Sequence, residues 1–316
     1  MKTTESVEKE YHLPSTTLLD NHDDIIANTD RKRIREASKE LEKTLETMGI
    51  GAHLSKVTVG PQITQFEVAL APGVRVEKIL KFENKIALAL KAQNLRFVAP
   101  IPGKDAVGIE VPNEPPSMVY LRPLLESDAW NKTKAAIPIL LGRGVKNKPS
   151  ILDLAKAPHL LIAGSSDTEK NACLNTLILS LFFRFSPDEL KIILISTDIE
   201  QQRQYLNVPH MIIPAVKDHH DVWRAIQLAE MQIHDRYFFL YKVKTKTIAS
   251  FNSRPPDPEP VLDDEGNVIP QKLPIVVVIV DELSDAMKGN CKIEAETDIC
   301  RIAQKGRAAG DRKSVV

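Results

Sequence analysis

The run Ile275-Val276-Val277-Val278-Ile279-Val280, closed by Asp281-Glu282, limits the fold more than any other part of the chain. These six consecutive β-branched residues offer no polar face to solvent. The strand they form has to be covered on both sides, as in the parallel sheet of an α/β domain. The two acids then fall at the carboxyl end of that strand, where such sheets bind ligands. In P-loop ATPases the first acid of such a pair holds Mg2+ and the second polarises the attacking water. A strand that simply ends in a charged turn has the same pattern.

Two more apolar runs, His159–Ala163 and Lys191–Ile195, read as companion strands. Between the runs lie helical stretches at Asn171–Phe185 and at Val222–Tyr241, the latter after His219-His220-Asp221. This alternation predicts a three-layer α/β nucleotide-binding domain from about residue 136 onward. Phe251–Lys272 carries five prolines and Asp263-Asp264-Glu265-Gly266-Asn267, and is expected to be an exposed loop or hairpin.

A nucleotide domain of this kind needs a G-x-x-x-x-G-K-[ST] loop between a strand and a helix. The segment in that place reads Gly164-Ser165-Ser166-Asp167-Thr168-Glu169-Lys170-Asn171. Gly164 and Lys170 fit, Glu169 stands where glycine belongs, and Asn171 stands where Ser or Thr belongs. Such a loop turns backbone N–H groups onto phosphate oxygens, which takes unusual backbone angles and leaves no room for side chains. A side chain in a left-handed position costs about 1–3 kcal/mol. A carboxylate beside a phosphate adds repulsion, and an Asn amide lacks the compact hydroxyl that usually meets Mg2+. The expectation is weak ATP binding.

The earlier chain is organised differently. Residues 1–30 are polar and read as a flexible linker. Ile34, Ala37, Leu41, Leu45 and Met48 recur at helical spacing and predict an amphipathic helix ending near Gly49 and Gly51. Val57–Leu70 reads as a hairpin with Gly60-Pro61 in its turn. A helix at Val76–Lys91 and strands at Leu95–Ala99 and Ala106–Val111 follow. Helix and strand mix without βαβ regularity, so 31–135 is expected to be a small α+β domain.

Lys+Arg and Asp+Glu both number 42, so nucleic acid could be held only by a local patch or an assembled channel. Cys173, Cys291 and Cys300 form no Cys-x-x-Cys pair, which fits a reducing cytoplasm. The sequence has no apolar run long enough to span a membrane. Adjacent His219 and His220 point apart and predict no metal site. The Asp263–Asn267 cluster lacks calcium-loop spacing and reads as a turn. Trp130 and Trp223 read as packing residues.

Several stretches together resemble the FtsK/SpoIIIE DNA translocases, over about Tyr11 to Gly310. Tyr11-His12-Leu13-Pro14-Ser15 is similar to the opening of the family's motor. Val59-Gly60-Pro61 and Ala71-Pro72-Gly73-Val74 resemble the start of its alpha domain. Ala99-Pro100-Ile101-Pro102-Gly103-Lys104 and Val107-Gly108-Ile109-Glu110-Val111-Pro112-Asn113 resemble its most distinctive part. Asp153-Leu154-Ala155-Lys156, Pro158–Gly164, Val208-Pro209-His210, Arg236-Tyr237, Val280-Asp281-Glu282-Leu283 and Ile302–Gly310 continue the likeness. The chain departs from it in the phosphate loop, written Gly-Ala-Thr-Gly-Ser-Gly-Lys-Ser in the family: Asp167 and Glu169 replace glycines, and Asn171 replaces serine. It departs again where Ser196-Thr197-Asp198 stands for Asp-Pro-Lys.

The resemblance implies a RecA-like P-loop motor domain, a mostly parallel sheet flanked by helices, over 136–310, preceded by the small α+β domain. It implies ATP and Mg2+ as ligands, with Gly164, Ser165, Ser166, Asp167, Thr168, Glu169, Lys170 and Asn171 as the nucleotide loop. Lys170 would contact the β- and γ-phosphates, Asp281 and Asn171 would meet Mg2+, and Glu282 would orient the water. It implies a hexameric ring around double-stranded DNA, driving chromosome segregation at cell division. The loop substitutions point to an alternative, a non-hydrolysing paralogue in a mixed ring with an intact motor. The motor domain is expected to be cut short at its carboxyl end. Asp311-Arg312-Lys313-Ser314-Val315-Val316 matches a translated sequencing adapter and is expected to be a non-native tail.

Overall fold

The computed structural model describes residues 11–20, 30–92, 94–101, 103–157, 159–196, 198, 200, 203–212, 219–287 and 292–305. The expected tail at 311–316 lies outside them, as does most of the expected linker at 1–30. The chain divides into two compact units. The first comprises Thr16–Lys132 and Leu140–Ile151, the second Met1–Ser15, Thr133–Ile139 and Leu152–Val316.

The first unit begins with a short 3-10 turn at Thr16–Leu18, tied to the unit by a hydrogen bond from the Thr16 hydroxyl to Glu126. Helix α1 (Asp30–Thr47) turns Leu41 and Leu45 fully inward, with Ala37 and Met48 beside them. It stops where Gly49 and Gly51 adopt φ of 60° and 72°, angles that side chains resist. Strands β1 (Ala52–Val59) and β2 (Ile63–Leu70) form the predicted hairpin, β1 starting earlier than expected. The helix expected over Val76–Lys91 is two, α2 (Val76–Leu80) and α3 (Glu83–Leu90). The spacing of apolar residues is blind to that break, because Ile79, Phe82 and Ile86 share a face with or without it.

Strands β3 (Arg96–Val98) and β4 (Ala106–Pro112) complete an antiparallel sheet of order β1-β2-β4-β3. Asn113, buried just after β4, fastens the β1–β2 turn. Its side-chain amide donates to the Gly60 and Pro61 carbonyls at 2.8 and 3.3 Å, and its oxygen accepts from the Thr64 hydroxyl at 2.7 Å. Short helices α4 (Leu121–Leu125) and α5 (Asp128–Asn131) follow. The Ser127 hydroxyl caps α5, which buries Trp130. Strands β5 (Pro138–Arg143) and β6 (Pro149–Asp153) make a two-stranded ribbon that the sequence reading passed over; its outer part, Leu140–Ile151, belongs to the first unit.

The second unit is built on two parallel strands, β7 (Leu190–Ile195) and β8 (Ile275–Val280), paired from Leu190↔Ile275 to Ile195↔Val280. Helix α6 (Asp167–Phe182) packs Leu174, Leu177, Ile178 and Leu181 on Ile192, Leu194, Val277 and Ile279. The opposite face of the same strands is covered by α7 (His219–Lys242) through Val222, Ala225, Ile226, Ala229 and Ile233. Helix α8 (Ile248–Asn252) leads into the proline-rich excursion, and α9 (Leu283–Ala286) and α10 (Lys292–Lys305) follow β8. Residues of α10 join the cover of that second face. Helices on both faces of a parallel pair give the expected three-layer α/β arrangement.

Two expectations in this unit change. His159–Ala163 is not a strand. Leu160 and Ile162 pack on the core while Leu161 is 73% exposed, so the segment is extended, yet no described strand pairs with it. An apolar run encodes burial and says nothing about a ladder partner. The Phe251–Lys272 excursion is in part packed, since Phe251, Ile269 and Leu273 form a satellite core with Leu240 and Ile248. Asp263–Asn267 is the predicted turn, with Asp263 accepting from the Glu265 and Asn267 amides. Tyr11 packs edge-on against His210, at 5.7 Å between ring centres.

Replacing Asn113 by Ala leaves the buried Thr64 hydroxyl and two turn carbonyls without their partner. The expected loss is about 1–3 kcal/mol, read as a lower urea midpoint.

Candidate nucleotide site

Strand β8 delivers its acids as the sequence demands. Asp281 continues the ladder, its amide donating to the Ile195 carbonyl at 2.8 Å, and its carboxylate accepts from the Ser196 hydroxyl at 2.8 Å. Burial pushes the Asp281 carboxyl above its usual range; the Ser196 bond opposes this, while the negative charges of Asp198 and Glu282 add to it. Glu282 turns sharply, with φ of 57°, a value uncommon outside glycine and found at strained functional positions. Its carboxylate accepts from the Ser284 hydroxyl at 2.7 Å and from Lys170 Nζ at 3.4 Å.

On the other side of the site the structure departs from the expected loop. Helix α6 begins at Asp167, not at Asn171, so Asp167, Thr168, Glu169 and Lys170 form its first turn. Ser166 is the cap, and its hydroxyl accepts from the Glu169 amide at 3.4 Å. The local sequence explains this. Ser166-x-x-Glu169 is the pattern of a capping box, and Asp167 and Glu169 suit the positive end of a helix dipole. Residues that would be strained in a glycine-type loop relax into helix, and none of 164–171 takes a positive φ among the described residues. Only Gly164, Ser165 and Ser166 remain outside the helix. This capping pattern is legible in the sequence itself, at Ser166 and Glu169.

Lys170 ends up among carboxylates. Its Nζ lies 2.8 Å from Asp167 and 3.4 Å from Glu282, and its stem crosses Gly164, where an added Cβ would be 3.3 Å from Lys170 Cγ. The bond to Lys170 holds the Asp167 carboxyl below its usual range, and the same bond holds the lysine above its own. Gly164, Lys170, Asp281 and Glu282 line one cavity of about 230 Å³, together with Leu161–Ala163, Leu174, Leu283 and Ser284. Ser165, Ser166, Asp167, Thr168, Glu169 and Asn171 line no part of it.

These residues do not fit MgATP as they stand. The cavity is smaller than the roughly 300–1,000 Å³ usual for ligand pockets. The helix start offers its N–H groups beside two carboxylates, which already complement the dipole. Asn171 lines no part of the cavity that holds Asp281.

The raised Asp281 carboxyl has a consequence for stability. The folded state holds this proton more tightly than the unfolded chain, whose Asp titrates near pH 3.9. Stability therefore falls as pH rises from about 4 through the folded pKa. Asp281→Asn removes that slope. Its advantage in unfolding midpoint over the parent is expected to be smallest in acid and to grow as pH rises above about 4. An advantage that shrinks with rising pH would mean the ionised carboxylate stabilises the fold.

Residues 13–113 match the FtsK alpha domain, and residues 120–311 match the FtsK/SpoIIIE family. The chain is 36% identical over 302 residues to the DNA translocase FtsK of Clostridium tetani, covering 95% of this chain and 39% of that protein. It is 36% identical over 310 residues to the DNA translocase SpoIIIE of Bacillus subtilis, covering 98% of this chain and 39% of that protein. It thus spans about two fifths of the length of these curated relatives. Among solved structures it is similar to the pCW3 conjugation coupling protein TcpA in its monomer form with ATPγS. That likeness has 14% identity and a TM-score of 0.48, over 88% of this chain and 76% of that one. With both units matched along nearly their whole length, the chain belongs to the FtsK/SpoIIIE family.

Proposed function

We propose that this chain is a non-hydrolysing member of a DNA-translocase ring, one that engages double-stranded DNA beside an intact paralogue and contributes no ATP turnover itself. The observation that carries the reading is the state of Lys170. At a helix start that replaces the phosphate loop, this lysine is paired with Asp167 and Glu282. The pairs are partly exposed and exchange readily with solvent, so they are not a strong lock. The obstacle is that nucleotide phosphates would enter a space where two carboxylates already answer the lysine and the helix end. Ser196 supports the same reading. A hydroxyl there donates to Asp281, whereas the family's Asp would set a second acid against it.

A second reading keeps ATP-driven translocation by a homo-hexamer, acting in chromosome segregation at cell division with ATP and Mg2+ as ligands. What favours it is the survival of Asp281 and Glu282 at the end of β8 in one cavity with Gly164 and Lys170. In either ring, contacts to DNA would run to the phosphate backbone and be largely independent of sequence. No helix among the described residues is long and apolar enough to cross a membrane; a cytoplasmic site of action is part of this proposal.

Nucleotide binding separates the two readings. Asp167→Gly, Glu169→Gly and Asn171→Ser together are expected to tighten binding of a fluorescent ATP analogue by at least about tenfold, or 1.4 kcal/mol. The parent chain is expected to show no DNA-stimulated phosphate release. Equal affinity of parent and triple variant in the range of about micromolar, or parental turnover that rises with DNA, favours the active motor.

A further inference from the structure

Between Asp128 and Asp153 the chain has no acidic residue, yet it carries Lys132, Lys134, Arg143, Lys146 and Lys148. In a chain whose charges cancel, this is a strong local imbalance. Three of the five cations sit at the outer end of the β5–β6 ribbon, in the segment Leu140–Ile151 of the first unit. We infer that this ribbon tip, through Lys146 and Lys148, is a contact for the phosphate backbone of double-stranded DNA. The inference rests on the proposed DNA engagement and names where on the first unit it occurs.

The tip is built to present charge rather than to bury it. Its turn is closed by Gly144 N–H to the Lys148 carbonyl at 3.0 Å and Asn147 N–H to the Gly144 carbonyl at 2.8 Å. Asn147 takes the left-handed angle the turn requires, with φ of 57°. Arg143 spends part of its guanidinium on the turn itself, donating to the Asn147 carbonyl at 3.1 Å. Lys146 and Lys148 are exposed, and neither has an ion-pair partner among the described residues.

The tip is also braced. Gly60, in the turn that Asn113 fastens, lies so close that an added Cβ would be 2.8 Å from the Val145 carbonyl oxygen. A braced turn presents its lysines with less ordering cost on binding than a free loop would. No aromatic residue lies between Arg143 and Lys148 to stack an unpaired base, so the chemistry suits a phosphate backbone better than a single strand. By contrast, on α1 Lys39 and Lys43 alternate with Glu36, Glu40, Glu42 and Glu46.

The test is binding of the full chain to a fluorescent duplex of about 30 base pairs, followed by anisotropy from about 50 to 200 mM salt. Lys146→Glu with Lys148→Glu is expected to weaken binding at least about tenfold. It is also expected to flatten the plot of log K against log salt by about 2, near 0.9 for each lost phosphate contact. Lys39→Glu with Lys43→Glu makes the same change of net charge on α1 and is expected to leave affinity within about twofold; circular dichroism reports that both variants fold. A ribbon variant with parental affinity and slope, or an α1 variant equally impaired, overturns the inference while leaving DNA engagement standing. A parent chain that binds no duplex overturns both.

Discussion

The second unit depends on one constraint: β8 has no polar side, so both of its faces must be covered. Helix α6 covers one face, and α7 with α10 covers the other. The strand's polar continuation, Asp281-Glu282, is thereby expelled at its carboxyl end. Because α6 packs along the same strands, its amino end is brought to those acids. The meeting of Lys170 with Glu282 follows from two apolar surfaces being satisfied at once. Electrostatics then decides only what happens where they meet.

What happens there is governed by charge balance more than by bond strength. A phosphate loop is a concentration of positive potential waiting for an anion. Here the same place supplies its own anions, from Asp167 and Glu169 in the first turn and from Glu282 opposite. The helix gains its cap and its dipole partners locally, so its first turn forms before any ligand is considered. Asp167 and Glu169 act as one change. Removing glycine lets the turn become helix, and the acids that replace it stabilise that helix.

The first unit follows a different logic, with an antiparallel sheet shielded by α1 and α3 and a turn held by Asn113. That turn carries forward to the ribbon tip through Gly60 and Val145, so a conserving of shape at Gly60-Pro61 also sets the posture of Lys146 and Lys148. The ribbon escaped the sequence reading because its strands are short and lie at the seam where the expected domains were divided.

Local pattern along the chain sets the burial of β8, the helix faces of α1, α6 and α7, and the place of Asp281 and Glu282. Each of these is written as a local run or period, and burial follows from it without knowledge of partners. The Ser166-x-x-Glu169 cap was equally local and equally readable. That His159–Ala163 has no ladder among the described strands, that Lys170 is answered by Glu282, and that the basic ribbon rests on Gly60 emerge only in three dimensions. Those facts join residues far apart in the chain, and a one-dimensional pattern encodes how much a segment wants to be buried, not which distant segment will meet it.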